Sequence, residues 1–434
     1  MSEPLVAVPL RGWVDPASVH HAIGQSEPHS FWLDAGPDAE AGWSWVGVGT
    51  VEEDPAAVRI VRCAGERVDD EAAGPFRGGW VGWLGYEAGA ERAGAPTAAS
   101  EAGVPRERWL RVERIVSFDH ASRRAWAMAA ADEADAFAAH VEQAVEPAPA
   151  TAAEDVGPAS ARHAPAEYAA LIERCRDAIR EGDAYQLCLT TRFEVGTSID
   201  PVAAYHRLRS ATPAHHGGLV LSSGVALAGA SPERFLEVAR GIVRTHPIKG
   251  TRPRGADPEA DAALARELRA SDKERAENVM IVDLMRNDLS RVCEPGSVGV
   301  DELLAVESYP AVHQLVSTVS GRLVDGITVG DLLDAAFPAG SMTGAPKLSA
   351  MTILHRLEAA PRGVFSGCFG WVGDDGALDL AMVIRSIVVH PDGAYVGAGG
   401  GITWRSDPAA EVEEVGVKAR GPLAALGASL PPGW

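Results

Sequence analysis

The segment from Ala184 to Val195 constrains the fold of this chain more than any other part of the sequence. Successive side chains of an extended strand point to opposite faces. One face here carries Tyr185, Leu187, Leu189, Thr191 and Phe193, and the other carries Gln186, Cys188, Thr190 and Arg192. A strand with one apolar and one mixed polar face is typical of a cavity wall, so we expect polar chemistry beside a packed core.

Helices and shorter strands surround this segment. An amphipathic stripe from Tyr168 to Ile179 predicts a helix that ends before Gly182. Helix starts are predicted at Asp257-Pro258, at Asp272 and at Ser406-Asp407-Pro408, a helix at the alanine-rich stretch 124–145, and strands with tight turns at 31–33, 43–46 and 78–86. Because these elements follow no regular βαβ rhythm, the sequence predicts an α+β fold and not a parallel doubly wound sheet.

The composition of the chain suggests where it divides. Residues 146–165 are rich in Pro, Ala and polar side chains, which is typical of a linker. We therefore expect a strand-rich N-terminal region over 1–145 and a catalytic domain over 166–430.

The charge of the chain restricts its partners. A net charge of −21 argues against nucleic acid and against an anionic membrane surface, and no apolar run approaches the length of a membrane span. The first residues lack the basic and apolar regions of a secretory signal, and the five cysteines show no ligand spacing. These features predict a reduced, cytoplasmic enzyme.

Taken one at a time, the charged residues that could carry chemistry favour ordinary structural roles. Glu414 and Lys418 are spaced as an exposed helical ion pair, and Glu277 fits a solvated helix face. Glu233 is most simply a paired structural carboxylate. Lys249, in the turn-forming stretch THPIKGTRPRG, is either a surface charge or a desolvated nucleophile.

His313 and the glycine-rich stretches leave alternatives open as well. His313 lies in an apolar run, where a hydrogen-bonded core histidine is about twice as frequent as a site residue. The stretch 339–347 is not a P-loop, because Ala-Pro separates its last glycine from Lys347. The stretch 397–401 is either a tight strand turn or a set of backbone N–H groups that bind a carboxylate.

Taken together, these stretches resemble the chorismate-utilising enzymes, a family that includes anthranilate synthase component I, aminodeoxychorismate synthase component I, and the isochorismate and salicylate synthases. The resemblance covers nearly the whole chain. Its motifs, in chain order, are GDAYQLCLTTRF, SPERF, PIKGTRPRG, KERAENVMIVDLMRND, YPAVHQLVSTVSG, FPAGSMTGAPK and GAGGGITWRSDPAAEVEEVGVKA. It implies an anthranilate synthase component I-like fold, in which large antiparallel sheets form a sandwich core with peripheral helices.

The resemblance also implies roles for particular residues. Glu277 and Glu414 would hold Mg²⁺, a hard cation that takes oxygen ligands, and the Mg²⁺ would hold the ring carboxylate of chorismate. Glu233 matches the general acid that protonates the departing C4 hydroxyl. The expected substrate-binding positions are Lys418 and Gly399, Gly400 and Gly401 at the ring carboxylate, Arg385 at the enolpyruvyl carboxylate, and His313 and Thr343 near the ring.

Two positions indicate a branch of the family. Isochorismate and salicylate synthases carry a water-activating lysine at the position of Gln186, and glutamine cannot act as a base. Anthranilate synthases carry alanine at the position of Lys249, whereas the PIKGT form resembles aminodeoxychorismate synthase, in which the lysine forms an adduct at C2 and ammonia enters at C4. The expected product is 4-amino-4-deoxychorismate, for 4-aminobenzoate and folate or a related aromatic compound, and the alternative is anthranilate.

Other features bear on the partner and on regulation. The sequence shows no Gly-x-Cys-x-Gly elbow, so we expect ammonia from a separate glutamine amidotransferase subunit. His246 and Cys188 replace the arginine and asparagine that are usual in the family. Feedback-inhibited anthranilate synthases carry a Leu-Leu-Glu-Ser stretch where this chain has 32–35, Trp-Leu-Asp-Ala, so we expect no tryptophan regulation by that route.

Overall fold

The computed structural model describes residues 4–24, 27–63, 72–99, 103–145, 152–309 and 312–434. The helices are α1 (Pro16–Ile23), α2 (Ala56–Arg59), α3 (Tyr86–Arg92), α4 (Ala134–Val141), α5 (Pro165–Glu181), α6 (Pro201–Ala211), α7 (Pro258–Ala270), α8 (Asp272–Leu289), α9 (Val329–Ala336), α10 (Lys347–Glu358) and α11 (Pro408–Ala425). The strands are β1 (Val6–Pro9), β2 (His29–Asp34), β3 (Trp43–Val51), β4 (Gly79–Leu84), β5 (Glu107–Asp119), β6 (Arg124–Ala129), β7 (Gly157–Pro158), β8 (Ser160–Ala161), β9 (Gln186–Val195), β10 (His216–Ser222), β11 (Val225–Ser231), β12 (Arg234–Ala239), β13 (Ile242–Thr245), β14 (Ile248–Pro253), β15 (Gly299–Ser308), β16 (Val312–Arg322), β17 (Gly344–Ala345), β18 (Cys368–Gly373), β19 (Leu378–Met382), β20 (Ser386–His390), β21 (Gly393–Ile402) and β22 (Ala428–Ser429).

Apart from the short parallel pair β7–β22, the described strands pair antiparallel in two runs that both start from the long strand β5. One run proceeds through β3, β2, β10, β11, β20 and β21 to β9. The other proceeds through β4, β18, β19, β12, β13 and β16 to β14 and β15. The α+β prediction is confirmed.

The two runs pack face to face over an aromatic core. Phe369, from β18 in the second run, is buried against Gly218 of β10 and Gly229 of β11 in the first, where an added Cβ would press on its ring. Tryptophans from β3, β4 and β18 belong to the same buried cluster. Sheet-on-sheet packing of this kind is the sandwich that the resemblance implied.

The strand predicted within the segment Ala184 to Val195 is confirmed as β9. Leu187, Leu189 and Phe193 lie in a hydrophobic core, and the Tyr168 hydroxyl of α5 donates to the Leu189 carbonyl at 2.8 Å. On the opposite face, Cys188 lines a cavity. The alternating pattern therefore separates core from cavity as predicted.

The predicted helix boundaries hold for four helices, of which α8 begins at Asp272 as predicted. Helix α5 ends at Gly182, whose φ of +89° is the left-handed conformation that glycine adopts without strain. Helices α7 and α11 begin with the caps Asp257 and Asp407, whose carboxylates accept from N–H groups of the first turn.

The helix predicted over 124–145 is only partly correct. Residues 124–129 form β6, which pairs with β5 through Asp119 and Arg124 and with β1 on its other side. Helix α4 starts at Ala134. The alanine content suggested a helix, but Trp126 and Met128 pack in the buried aromatic cluster, and that packing outweighs a weak helix propensity.

The predicted linker contains ordered residues at its C-terminal end. Residues 146–151 lie outside the described part of the chain, while β7 and β8 pair with β22 and β9 and α5 starts at Pro165. Strands before the linker pair with strands after it, as β2 does with β10. The boundaries 1–145 and 166–430 stay a prediction. No helix among the described residues is long and apolar enough to cross a membrane.

Replacing Phe369 by alanine should lower the free energy of unfolding by about 3–5 kcal/mol, because it opens a cavity between the two runs of strands. Leu348→Ala is the matched control, since that side chain is half exposed and the change should stay within about 0.5 kcal/mol. Denaturant unfolding measures both variants, and equal losses would contradict the packing described here.

Candidate active site

A cavity of about 490 Å³ lies between β9, β14, β21, α8 and α11. Most of the predicted site residues line it. They are Glu233, Lys249, Glu277, Arg385, Gly399, Gly401, Glu414 and Lys418. Residues that are far apart in sequence thus share one enclosed volume, large enough for a small organic acid.

Glu233 lies in the short connection between β11 and β12 and is buried. The Ser341 hydroxyl donates to its Oε1 at 2.9 Å. Burial raises the pKa of Glu233 to about 7, against the opposing fields of Lys249 and Lys418 and the hydrogen bond from Ser341. A carboxyl group with this pKa can donate a proton near neutral pH, as a general acid requires.

Lys249 projects from an irregularity in β14. Ile248 pairs with Val316 and Thr251 with Gln314, so three steps along β14 oppose two along β16, and the extra residue forms a bulge. Gly250, with φ +86°, completes the bulge where a Cβ would press on Leu268.

The amine of Lys249 is available for chemistry. The described residues provide it with neither a hydrogen bond nor an ion pair, although it lines the cavity together with Glu233. An amine held on a bulge beside a buried carboxyl group can serve as a nucleophile.

Gln186 is completely buried at the start of β9, and neither its amide oxygen nor its amide nitrogen has a hydrogen-bond partner among the described residues. It sits beside Gly401, where a Cβ would collide with the Gln186 amide and come within 3.3 Å of the Lys249 Nζ. Leaving a buried amide unpaired costs about 1–3 kcal/mol, which marks this corner as a place for a polar ligand. Only glycine at 401 leaves room there.

Glu277 and Glu414 enter the cavity from α8 and α11. Glu277 Oε1 is buried without a hydrogen-bond partner, and burial raises the pKa of this carboxyl group despite the nearby lysines. A buried, unpaired carboxylate oxygen opposite a second carboxylate suits a hard divalent cation that keeps several waters. The described residues contain no group of three potential protein ligands, so a cation here would depend on water or substrate oxygens for its remaining ligands.

Lys418 is held in a fixed position at the cavity. Its Nζ contacts Glu414 Oε1 at 2.7 Å and donates to the Gly399 carbonyl at 2.8 Å. Burial opposes ionisation of Glu414, but Lys418 and two further lysines hold its pKa below the usual value. The helical ion pair expected from spacing alone is therefore present, and it forms part of the cavity wall.

Arg385 follows β19 in the left-handed conformation, with φ +52°. The Ala230 N–H donates to its carbonyl and fixes the backbone. Within the described structure the guanidinium group makes no hydrogen bond or ion pair, and burial lowers its pKa. An unpaired guanidinium facing a cavity is suited to bidentate binding of a carboxylate.

Apart from Gln186, which is buried beside Gly401, three predicted residues do not line the cavity. His313 binds Asp261 through Nε2 at 2.9 Å and Ser308 through Nδ1 at 2.7 Å, so both ring nitrogens are engaged elsewhere. Thr343 is buried and donates to the Ala339 carbonyl. Gly400 faces Glu411 instead. The structure does not bring His313, Thr343 or Gly400 to the cavity lining. The contacts of His313 agree with the alternative interpretation as a hydrogen-bonded core histidine.

Sequence reasoning missed several residues that line the cavity. They are Ser341, Lys273, Glu274, Phe365 and Glu411. Ser341 stands two positions before Thr343 in the same motif, and its hydroxyl is the one that lines the cavity. Lys273 and Glu274 begin the KERAEN stretch, and their proximity to Glu277 on one helix could have identified them.

A buried ion pair supports the cavity from behind. Arg362 binds both carboxylate oxygens of Glu358, at 2.7 and 2.8 Å, and its other N–H groups donate to the carbonyls of Cys188 and Met342. Glu358 also accepts from the Thr190 N–H. One guanidinium thus fixes the cavity strand β9 and the turn that carries Ser341.

A second buried pair joins two of the sequence motifs. Lys347 Nζ contacts Asp288 of α8 at 2.6 Å and donates to the Ala336 carbonyl. It ties the FPAGSMTGAPK loop to the helix that presents Glu277. The lysine that suggested a P-loop is therefore structural.

A further cavity, of about 530 Å³, lies beside Asp34 and contains none of the predicted site residues. Arg209 and Tyr205 engage the Asp34 carboxylate, and Arg234 pairs with Asp379 at 3.0 Å. The chemical groups described above therefore belong to the cavity between α8 and α11.

Comparison with known proteins agrees with this arrangement. A family model described as chorismate binding enzyme matches residues 28–424. The chain is 43% identical over 368 residues to an aminodeoxychorismate synthase of Streptomyces pristinaespiralis, covering 81% of this chain and 51% of that protein. It is 42% identical over 376 residues to an anthranilate synthase component 1 of Streptomyces coelicolor, covering 81% and 73%.

A solved structure is similar over nearly the whole length. Anthranilate synthase component I from Streptococcus pneumoniae TIGR4 superposes with a TM-score of 0.73 at 30% identity, covering 96% of this chain and 92% of that one. The chain spans about half the length of the first curated relatives that it matches.

Replacing Glu358 by glutamine should lower the free energy of unfolding by about 3–5 kcal/mol, because it leaves the buried Arg362 without its counter-charge. The same change at Glu173, which pairs with Arg176 on the surface, should cost at most about 1 kcal/mol. Denaturant unfolding compares the two, and a small loss for Glu358→Gln would show that the buried pair is not the support described here.

Glu233 should make stability depend on pH. The pKa of Glu233 in the folded protein, about 7, lies above the ordinary value of 4.5. The unfolded state therefore releases this proton at lower pH, and the free energy of unfolding falls as pH rises between those values. The free energy of unfolding of Glu233→Gln, taken relative to the metal-free wild-type protein at the same pH, should therefore be higher at pH 8 than at pH 4.5, by roughly 3 kcal/mol at most. Urea unfolding across this range measures the difference, and a difference that does not change with pH would refute the raised pKa.

Proposed function

This chain belongs to the family of chorismate-binding enzymes, and we propose that it converts chorismate and ammonia into 4-amino-4-deoxychorismate through a covalent adduct of Lys249. Similarity alone does not select this reaction, because relatives named for C4 amination and for anthranilate formation are 43% and 42% identical to the chain. The observation that carries the proposal is the unpaired Lys249 amine on the bulge of β14, beside the buried acid Glu233.

The first step uses both residues. The uncharged Lys249 amine attacks C2 of the ring, both ring double bonds shift, and the C4–O bond breaks. Glu233, which is protonated below pH 7 or so, gives its proton to the departing hydroxyl, so that water leaves. The Ser341 hydroxyl stays on Glu233 and orients it.

The second step reverses the flow of electrons. Ammonia attacks C4, both ring double bonds return, and the bond between C2 and the Lys249 nitrogen breaks, which restores the uncharged amine. The new ammonium group at C4 passes a proton to Glu233 and resets it. Chorismate and ammonia have then become aminodeoxychorismate and water, and one difficult substitution has been divided into two easier ones.

Fixed positive groups would bind the two carboxylates of the substrate. Arg385 provides an unpaired guanidinium for one of them. We assign the other to Lys418 and to the backbone of Gly399 and Gly401, at the wall formed by α11 and β21. Phe365 contributes an apolar surface to the same cavity.

We propose Mg²⁺ as the cofactor, with Glu277 and Glu414 as the residues that hold it. The unpaired Glu277 Oε1 supports this assignment. A bound Mg²⁺ would offset the charge of the ring carboxylate in a strongly acidic protein.

Ammonia is proposed to come from a glutamine amidotransferase partner. The similar Streptomyces coelicolor protein is named a component 1, which supports a second component in this system too. The buried Gln186 amide, beside Lys249 and without a partner of its own, is a suitable acceptor for the incoming ammonia.

Lys249→Ala should abolish formation of aminodeoxychorismate from chorismate, ammonium and Mg²⁺, because no amine remains to form the adduct. Lys249→Arg, which keeps a long basic side chain but not the nucleophilic amine, should be equally inactive. Mass spectrometry of the quenched wild-type protein should detect a chorismate-derived adduct on the peptide that contains Lys249, and EDTA should suppress it.

The alternative function is anthranilate synthase, and the same assay distinguishes it by fluorescence. Fluorescent anthranilate from the wild-type protein would place the chain in that branch. Aminodeoxychorismate made at the normal rate by Lys249→Ala would overturn the covalent mechanism.

A further inference from the structure

Lys273 occupies an unfavourable position for a lysine. It is the second residue of α8, in the first turn, where the helix dipole favours negative charge. The neighbouring Asp272 and Glu274 follow that preference. A residue that breaks a local rule without local compensation indicates a constraint from elsewhere in the structure.

The surroundings of Lys273 supply that constraint. It lines the cavity and lies one helical turn before Glu277, on the same face of α8. Glu411 and Glu414 line the same cavity from α11. Burial alone would lower the pKa of Lys273, but the fields of Glu277, Glu411, Glu274 and Glu414 raise it.

Lys273 differs from the fixed cations of the cavity. Lys418 is bound to Glu414 and a carbonyl group, and Arg252 is bound to Glu267. Across the described ranges, Lys273 forms no ion pair within 4.0 Å and no hydrogen bond through its side chain, and Glu277 Oε1 is likewise unpaired. Its ammonium group balances the carboxylates through space and remains free to move away.

We infer that Lys273 acts as the counter-charge of the proposed cation site when that site is empty, and that a divalent cation must displace its ammonium group from the field of Glu277 and Glu414. The inference rests on the proposed function, because it takes these two carboxylates as the cation ligands. The lysine prevents the acidic residues from repelling one another in the free protein, and it weakens cation binding in return. Lys273 is thus a positioning residue for the cation site.

The experiment measures Mn²⁺ binding from the electron paramagnetic resonance signal of the free ion, without substrate and at low ionic strength. Lys273→Gln should bind Mn²⁺ roughly three- to tenfold more tightly than the wild-type protein, the effect of removing one partly screened charge. Lys273→Arg should bind with wild-type affinity. High salt should reduce the difference.

Arg275→Gln is the matched control. Arg275 lies on the same helix, is exposed as Lys273 is, and its removal changes the net charge equally, but it does not line the cavity. This variant should bind Mn²⁺ as the wild-type protein does. Equal tightening in both variants would overturn the inference, because it would show a general charge effect.

Thermal unfolding provides a second readout. Without Mn²⁺, Lys273→Gln should unfold at a lower temperature than the wild-type protein, and saturating Mn²⁺ should remove the deficit. A deficit that persists with Mn²⁺ would indicate a purely structural role and overturn the inference.

Glu277→Gln separates failure of this inference from failure of the cation site. If Glu277→Gln abolishes Mn²⁺ binding while Lys273→Gln binds no more tightly than the wild-type protein, the inference alone fails. If the wild-type protein and Lys273→Gln both bind no Mn²⁺, the proposed cation site and the inference fail together.

Discussion

The arrangement of the cavity depends on the buried guanidinium group of Arg362. It is paired with Glu358 and donates to the carbonyl groups of Cys188 and Met342, which belong to parts of the chain more than a hundred residues apart. The guanidinium also lies over the ring of Tyr86, which comes from the N-terminal part of the chain. A buried charge is expensive unless all its partners are present, so this group forces three distant segments into one register.

That constraint explains how opposing charges coexist in the cavity. Glu233 is buried deeply enough to stay protonated near neutral pH, although Lys249 and Lys418 both favour its ionised form. Burial dominates, while the Ser341 hydroxyl holds the Glu233 carboxyl group and the Met382 N–H holds the Glu233 backbone carbonyl. Farther out, Glu277 and Glu411 act on Lys273 without direct contact, where solvent screening weakens the interaction.

The sequence predicted the parts of this protein that follow from local pattern. The alternation of β9, the glycine that ends α5 and the proline starts of α7 and α11 needed only short-range rules. The family motifs added most of the residues that line the cavity. The strand at 124–129 was missed because its alanines concealed an aromatic packing face, and the contacts of His313 could not be foreseen because its partner Asp261 lies 52 residues away. The Arg362 network could not be predicted, since no local pattern indicates which distant carbonyl groups a buried guanidinium will meet.

The bulge in β14 has a consequence for how such proteins diversify. Lys249 and Gly250 lie where the register between β14 and β16 shifts, and the Lys249 side chain makes no hydrogen bond or ion pair among the described residues. An exchange at this position therefore leaves the strand register and the surrounding packing intact. Reaction chemistry can be gained or lost there by a single codon change at little cost in stability, so the scaffold and its reactivity are free to evolve separately.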